Sequence, residues 1–419
     1  MSLNDRSTLG WTGGQYTVYR FLLGSYLLVH FVRLIPWGRE IFSNEGVLPN
    51  SSVSPLLHLF PNVLALWDSP AVITCLLVLG ALLSVVFAFG WHDRVAALAL
   101  WYLWACLFGR NPLIGNPSLP FIGWLLLAHS VLPSAPYGSW AARGRPDPRG
   151  NWQMPAFVFG LAWALMAVGY SYSGYTKLVS VSWLDGSALF RVLQNPLARP
   201  TFLRTLVLGM PVGLLRLGTW GALALELGFA PLALVRKVRP WIWAAMVGLH
   251  CSLVLLINFA DLTTGMLLLH LFTFDPRWIR PKTAAVTETL FYDGHCGLCH
   301  RAVRFVLAED PLGNAFRFSA LQGELFAERV AASDRKLLPD SVVVQTAEGA
   351  LLSRSAAVLH VLARLGGMWR IMAAVGSLVP GSLLNRVYDR IARVRHRLFR
   401  APAEACPIVP VELRARFDA

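Results

Sequence analysis

Over its first two thirds the chain alternates long apolar runs with short polar breaks, and the pattern changes near residue 285. A helix needs roughly 20 apolar residues to cross about 30 Å of hydrocarbon. Runs of about that kind fall at 15–36, 69–91, 95–109, 119–134, 154–177, 214–235, 240–260 and 262–275, which predicts about eight spans. The segment RNPLIGNPSLP (110–120) interrupts them with two asparagines and three prolines. Irregular backbone of that kind is tolerated at membrane depth only when protein shields it or it lines a cavity. Beyond 285 the pattern becomes strand (288–294), helix (299–309), strand (315–321), helix, strand (340–346) and helix (354–365). Strands alternating with helices predict a small α/β domain. The chain therefore divides into a multi-pass helical region, 1–280, and a C-terminal α/β domain, 285–419. Its tail, NRVYDRIARVRHRLFR (385–400), sets Val, Ile and Leu among arginines. That segment reads either as a basic amphipathic helix on a membrane surface or as a helix packed on its own domain.

Composition supports the membrane assignment. The chain is 55% hydrophobic and 14% charged, with mean hydropathy +0.52, against about 25% charged in soluble domains. The net charge of +14 does not lie in one basic domain with interleaved aromatics, so nucleic acid is not an expected partner. Tryptophans near the ends of apolar runs (Trp37, Trp67, Trp91, Trp152, Trp241) suit an interfacial belt. The first apolar run is too long for a signal-peptide core and reads as a retained span. With eight spans, the basic loops 92–94, 142–151 and 236–239 fall on one side, which the positive-inside rule makes cytoplasmic. The expected location is the bacterial inner membrane, with the C-terminal domain in the cytoplasm and residue 177 at the outer end of a span.

Six cysteines are too few for a disulfide framework, and Cys75, Cys106 and Cys251 lie in apolar runs as small hydrophobes. Cys406 lies in the tail. The pair in FYDGHCGLCHRAVRF (291–305) carries the chemistry. A strand runs into Asp293 and Gly294, and Cys296-Gly-Leu-Cys299 opens a helix. Unpaired N–H groups at a helix N-terminus stabilise a thiolate, and two intervening residues put the second sulfur within reach of a mixed disulfide. Cys296 is then the nucleophile and Cys299 the resolving thiol, with His295 and His300 as candidates to hold the thiolate. CGLCH also fits a haem attachment pattern, and HCGLCH a zinc half-site. A structural zinc site needs four ligands, and only Cys406 and His360 are near in sequence, so no metal is expected. A purely structural pair is the remaining alternative, disfavoured by the strand-turn-helix setting.

The stretch resembles the DCC family of thioredoxin-like thiol-disulfide oxidoreductases. The resemblance rests on Asp293-Gly294-x-Cys296-x-x-Cys299, LPDSVVV (338–344), SRSAAVLHVL, YDRIARVRHRLF and Cys406, and covers about the last 130 residues. It implies disulfide reductase or exchange activity on a protein or small-molecule substrate.

Four lysines stand against thirty-three arginines, and Lys177 lies where an apolar run ends. On a helix Tyr170, Ser173, Gly174 and Lys177 share one small, polar face. An interfacial lysine can simply snorkel to the headgroups. A partly desolvated lysine can also act as a base, which arginine cannot. GYSYSGYTKLVSVSWLDGSAL (169–189) resembles the vitamin K-dependent γ-carboxylase family and its bacterial relatives, the horizontally transferred transmembrane (HTTM) domain. The resemblance extends loosely over 10–280 and implies that Lys177 is the base that deprotonates a reduced quinone. Asn116, Glu226 and His250 stand around it as site candidates, with Glu226 expected to pair with Arg33 or Arg110 if its role is structural. Where the carboxylases carry an asparagine-histidine pair this chain reads Asn116-Pro117-Ser118, and it holds no large extracytoplasmic domain, so glutamate carboxylation is not implied. The expectation is a carboxylase-like helical bundle fused to a thioredoxin-like domain. Its candidate partners are the bilayer, a thiol or disulfide substrate and a quinol; a non-catalytic anchor is the alternative for the bundle, and a transporter ranks last.

Overall fold

The computed structural model describes residues 10–150, 152–283, 286–399 and 409–418; Cys406 lies outside them. The chain forms two compact units. One, helical, comprises Tyr19–Ser134 and Pro155–Phe274; the other gathers Ala135–Met154 with the described parts of 1–18 and 275–419.

The principal apolar helices are α1 (Gly13–Leu34), α2 (Pro70–Phe89), α3 (Asp93–Arg110), α4 (Ser118–Val131), α5 (Ala156–Lys177), α6 (Val212–Leu234), α7 (Arg239–Leu256) and α8 (Ala260–Thr273). Among the described residues, five helical stretches are long and apolar enough to cross a membrane: Gly13–Phe42, Pro70–Phe89, Ala156–Lys177, Val212–Leu234 and Arg239–Leu256. Five of the eight expected runs thus meet that length and composition, and eight full spans are not confirmed. The other three runs do fold as helices. α3 carries Asp93, Arg94 and Arg110 at its ends, while α4 and α8 have only 14 residues each, short of the bilayer thickness. Hydropathy marked where apolar helix forms, and the polar ends and breaks decided its length.

The small face of α5 meets α6 rather than a cavity. A Cβ on Gly174 would come within 2.8 Å of the Leu227 nitrogen, so glycine permits the close crossing typical of helices in lipid. Pro231 inside α6 has no N–H to offer the Leu227 carbonyl. The Ser171 hydroxyl donates to that carbonyl at 3.2 Å and accepts from the Ala230 N–H at 3.0 Å. The break is thus satisfied from the neighbouring helix.

The second unit is built on a five-stranded sheet in the order β4-β3-β1-β2-β5. Its strands are β1 (Glu288–Tyr292), β2 (Phe316–Ala320), β3 (Val343–Gln345), β4 (Leu351–Ser353) and β5 (Phe417–Asp418). β1 pairs parallel with β2 and antiparallel with β3, and β3 pairs antiparallel with β4. Helix α9 (Gly297–Glu309) makes the crossover from β1 to β2, and α10 (Arg354–Leu365) follows β4; α11 (Gly367–Gly376) and α12 (Gly381–Leu398) complete the domain. This arrangement is consistent with a thioredoxin-like fold. Every residue of β1 is buried, as a central strand covered on both faces must be. Val303, Val306 and Leu307 of α9 close the core over Leu290, Phe316 and Phe318.

At the C-terminal end of α9, Glu309 is buried and accepts hydrogen bonds from the Gly14 N–H (2.9 Å), Trp369 Nε1 (2.6 Å) and the Thr12 hydroxyl. Burial pushes its carboxyl from 4.5 up to about 7 against those hydrogen bonds, and the negative end of the helix dipole adds to the cost of ionising it. The unfolded chain ionises this group first. Its contribution to stability is full below the unfolded value and is lost as pH rises towards about 7. The difference amounts to about 3 kcal/mol. Thermal unfolding of the full chain is expected to show lower stability at about pH 8 than at about pH 5, with that difference reduced in Glu309→Gln. An unchanged difference in the variant would contradict the assignment.

Candidate active site

β1 delivers the chain to a turn that seats the cysteine pair. The Asp293 carboxylate accepts from the His295 N–H at 3.0 Å, an Asx turn, and the Asp293 carbonyl accepts from the Cys296 N–H at 3.2 Å. Gln322 Oε1 receives the Gly294 N–H at 3.2 Å, and His300 Nε2 lies 3.0 Å from the Gly294 carbonyl. His300 therefore braces the turn, whereas the His295 ring is mostly exposed, its Nδ1 4.0 Å from Asp293 Oδ1. Cys296 is the N-cap of α9, and its sulfur accepts the Cys299 N–H at 3.4 Å. Negative charge on Cys296 Sγ is thereby placed where the helix offers an unsatisfied donor.

Burial pushes the Cys299 thiol up to about 12, the Cys296 hydrogen bond acts in the same direction, and Arg395 opposes both. Cys299 is thus a protonated thiol at neutral pH. Both side chains are enclosed, Cys296 with 0% and Cys299 with 9% of its surface exposed.

Arg395 is the cation of the site, and no motif in the sequence singled it out. Its Nη2 lies 2.6 Å from Asp340 Oδ1 and 3.2 Å from Asp293 Oδ2, with its side chain 3% exposed. Helical spacing offered the signal: Asn385, Tyr388, Ala392 and Arg395 share one face of α12. That face is the one turned inward. The Tyr388 hydroxyl accepts the Val342 N–H at 3.0 Å, and Asn385 Oδ1 accepts the Ser355 hydroxyl at 2.6 Å. Among the described residues no group of three His, Cys, Asp or Glu side chains is placed to hold a metal.

Residues 290–401 match the family model described as DCC1-like thiol-disulfide oxidoreductase. Over 130 residues, 31% of this chain and 93% of the relative, the sequence is 30% identical to the uncharacterized protein YuxK of Bacillus subtilis (strain 168). The chain belongs to the DCC1-like family. The DCC1-like domain is its C-terminal part, with the cysteine pair at the start of the first helix. No solved structure matches the chain.

Outside the DCC1-like domain, the helical unit brings some of the expected membrane residues together. Lys177 Nζ pairs with Glu226 Oε2, donates to Ser173 Oγ at 3.1 Å and lies 4.7 Å from the Trp183 ring centre. The expected arginine partners of Glu226 are thus replaced by Lys177, and Arg110 pairs with Asp68 at 3.1 Å. The Tyr170 hydroxyl lies 2.7 Å from Nε2 of both His250 and His270; His270 is not among the residues singled out by the sequence. Asn116 is elsewhere. It accepts from the Ser118 N–H at 2.9 Å and lines a cavity of about 110 Å³ with His30, Trp104 and Asp261. Breaking the Lys177–Glu226 pair leaves a largely buried carboxylate uncompensated, so Lys177→Met is expected to cost about 3 kcal/mol. Adding Glu226→Leu should recover part of the lost thermal stability of the full chain.

Proposed function

We propose that the DCC1-like domain is a dithiol-disulfide oxidoreductase. The Cys296 thiolate attacks one sulfur of a substrate disulfide, forming a mixed disulfide and releasing the first substrate thiolate. Cys299 then gives up its proton and attacks Cys296 Sγ, closing the Cys296–Cys299 disulfide and releasing the second substrate thiolate. Two electrons and two protons pass to the substrate, and an external dithiol must reduce the domain again. The observation that carries this reading is the geometry of the pair: Cys296 caps the helix and its sulfur accepts the Cys299 N–H. Reduced full chain mixed with oxidised glutathione should lose both thiols and release two equivalents of glutathione. Retention of both thiols after prolonged incubation would refute the reading.

The same compact unit includes 10–18 and Ala135–Met154, and Arg304 Nη1 of the DCC1-like domain donates to the Pro146 carbonyl at 3.2 Å. This supports a domain on the side of the basic loop 142–151, which the positive-inside rule makes cytoplasmic. For the helical unit, the hydrogen-bonded Tyr170 and His250 favour a carboxylase-like bundle that binds a quinol, with Lys177 its base once the ion pair opens. Tyr170→Phe should then weaken binding of a menaquinol analogue by the full chain. Unchanged binding, with Lys177→Arg tolerated, favours a bundle that only anchors the redox domain.

A further inference from the structure

Helix α12 carries its apolar stripe on the outside. Leu383, Val387, Ile391, Val394 and Leu398 recur at helical spacing, and four of them, all but Val394, are between 49% and 71% exposed. Flanking the stripe, Arg386, Arg390, Arg393 and Arg397 are also exposed, and no exposed residue of the helix is acidic. Asp389 is drawn aside into a pair with Arg354 at 3.1 Å. The opposite face holds the polar contacts of Asn385, Tyr388 and Arg395 described above. The preceding helix α11 meets α12 at 112° and exposes Ile371, Met372 and Val375.

An amphipathic helix normally turns its apolar side to its own core, and α12 is inverted. Its polar inner face is committed to the domain, so the helix cannot cross a bilayer. It can lie along one. We propose that α12 docks on an anionic phospholipid surface, with the Leu383–Val387–Ile391–Leu398 stripe among the acyl chains and the four outer arginines at the phosphates. The charge pattern selects this occupant. Apolar burial accounts for the stripe, but only an anionic surface also compensates four arginines unaccompanied by acid. Because the inner face of the docked helix carries Arg395 and Tyr388, the lipid-facing and cysteine-facing sides belong to one rigid element. This proposal rests on exposure and charge, independently of the dithiol reading.

The test uses the full chain in nanodiscs with a fluorescent amino acid at position 391, or at 328 in the exposed helix Glu324–Arg329 as control. Lipids brominated in the acyl chains should quench the probe at 391 and leave that at 328 bright. Quenching should be greater with one third anionic lipid than with neutral lipid alone. Arg390→Glu should lower the docked-to-undocked ratio by at least about five-fold. No quenching at 391 in either lipid, or equal quenching at 328, overturns the proposal. Equal quenching in neutral and anionic lipid overturns it as well, because the arginines then select nothing. A probe shielded only when two chains share a nanodisc assigns the stripe to a second copy and likewise overturns it.

Discussion

Cys296→Ser is expected to abolish disulfide reduction, lowering turnover by at least about a thousand-fold. A serine hydroxyl at this N-cap keeps the capping hydrogen bond but is not ionised at neutral pH and does not attack sulfur, so folding survives while chemistry stops. Cys299→Ser has a different signature. The attacking thiolate remains, the resolving thiol is gone, and a mixed disulfide with the substrate accumulates on Cys296. Peptide mass mapping after exposure to oxidised glutathione separates the cases: an adduct on Cys296 of the Cys299→Ser chain and none on Cys299 of the Cys296→Ser chain. An adduct on Cys299 in the latter would reverse the assigned roles. It is not expected, since burial, the largest cause of the raised Cys299 thiol, remains when Cys296 is replaced.

The second large effect belongs to Arg395. Its guanidinium is the buried counter-charge for Asp293, with Asp340 more exposed at 72%. Arg395→Met keeps the bulk and removes the charge, taking the Arg395 ion pair from the Asp293 carboxylate, which is 13% exposed. The expected cost is about 3 kcal/mol, most of it from Asp293, because water already serves Asp340. Loss of the cation should also move alkylation of Cys299 to higher pH, since Arg395 opposes the rise there. The exposed Arg390, on the same helix, is the control: Arg390→Met should alter neither thermal stability nor the alkylation profile. If both variants behave alike, Arg395 is one more solvated charge.

Sequence reading located the cysteine pair because its signal is local. A strand, a tight turn through Asp293 and Gly294, and a helix start are all written within about a dozen residues. β4 and β5 left no such trace, having three and two residues respectively, and their pairing is set by the sheet rather than by their own pattern. Arg395 was hidden among arginines that differ only in which way the helix turns them. Lys177 and Glu226 are both site candidates through the family resemblance, but the ion pair between them, across forty-nine positions, left no local signal, and an arginine was the expected partner of Glu226. The hydrogen bonds of Thr12 and Gly14 to Glu309 span almost three hundred positions, so no window along the chain could join the N-terminal segment to the second unit. Tyr170 and His250 were candidates individually; His270 completes the cluster only through the packing of α5, α7 and α8.

The most direct test of the central claim is a redox titration of the full chain in glutathione buffers, read by mass after acid quenching and thiol alkylation. A dithiol site predicts a single two-electron transition, about 30 mV per decade, and an oxidised form lighter by two hydrogens with Cys296 joined to Cys299. Two cysteines that stay alkylatable across the whole range, or that collect glutathione separately without ever joining, would contradict the account.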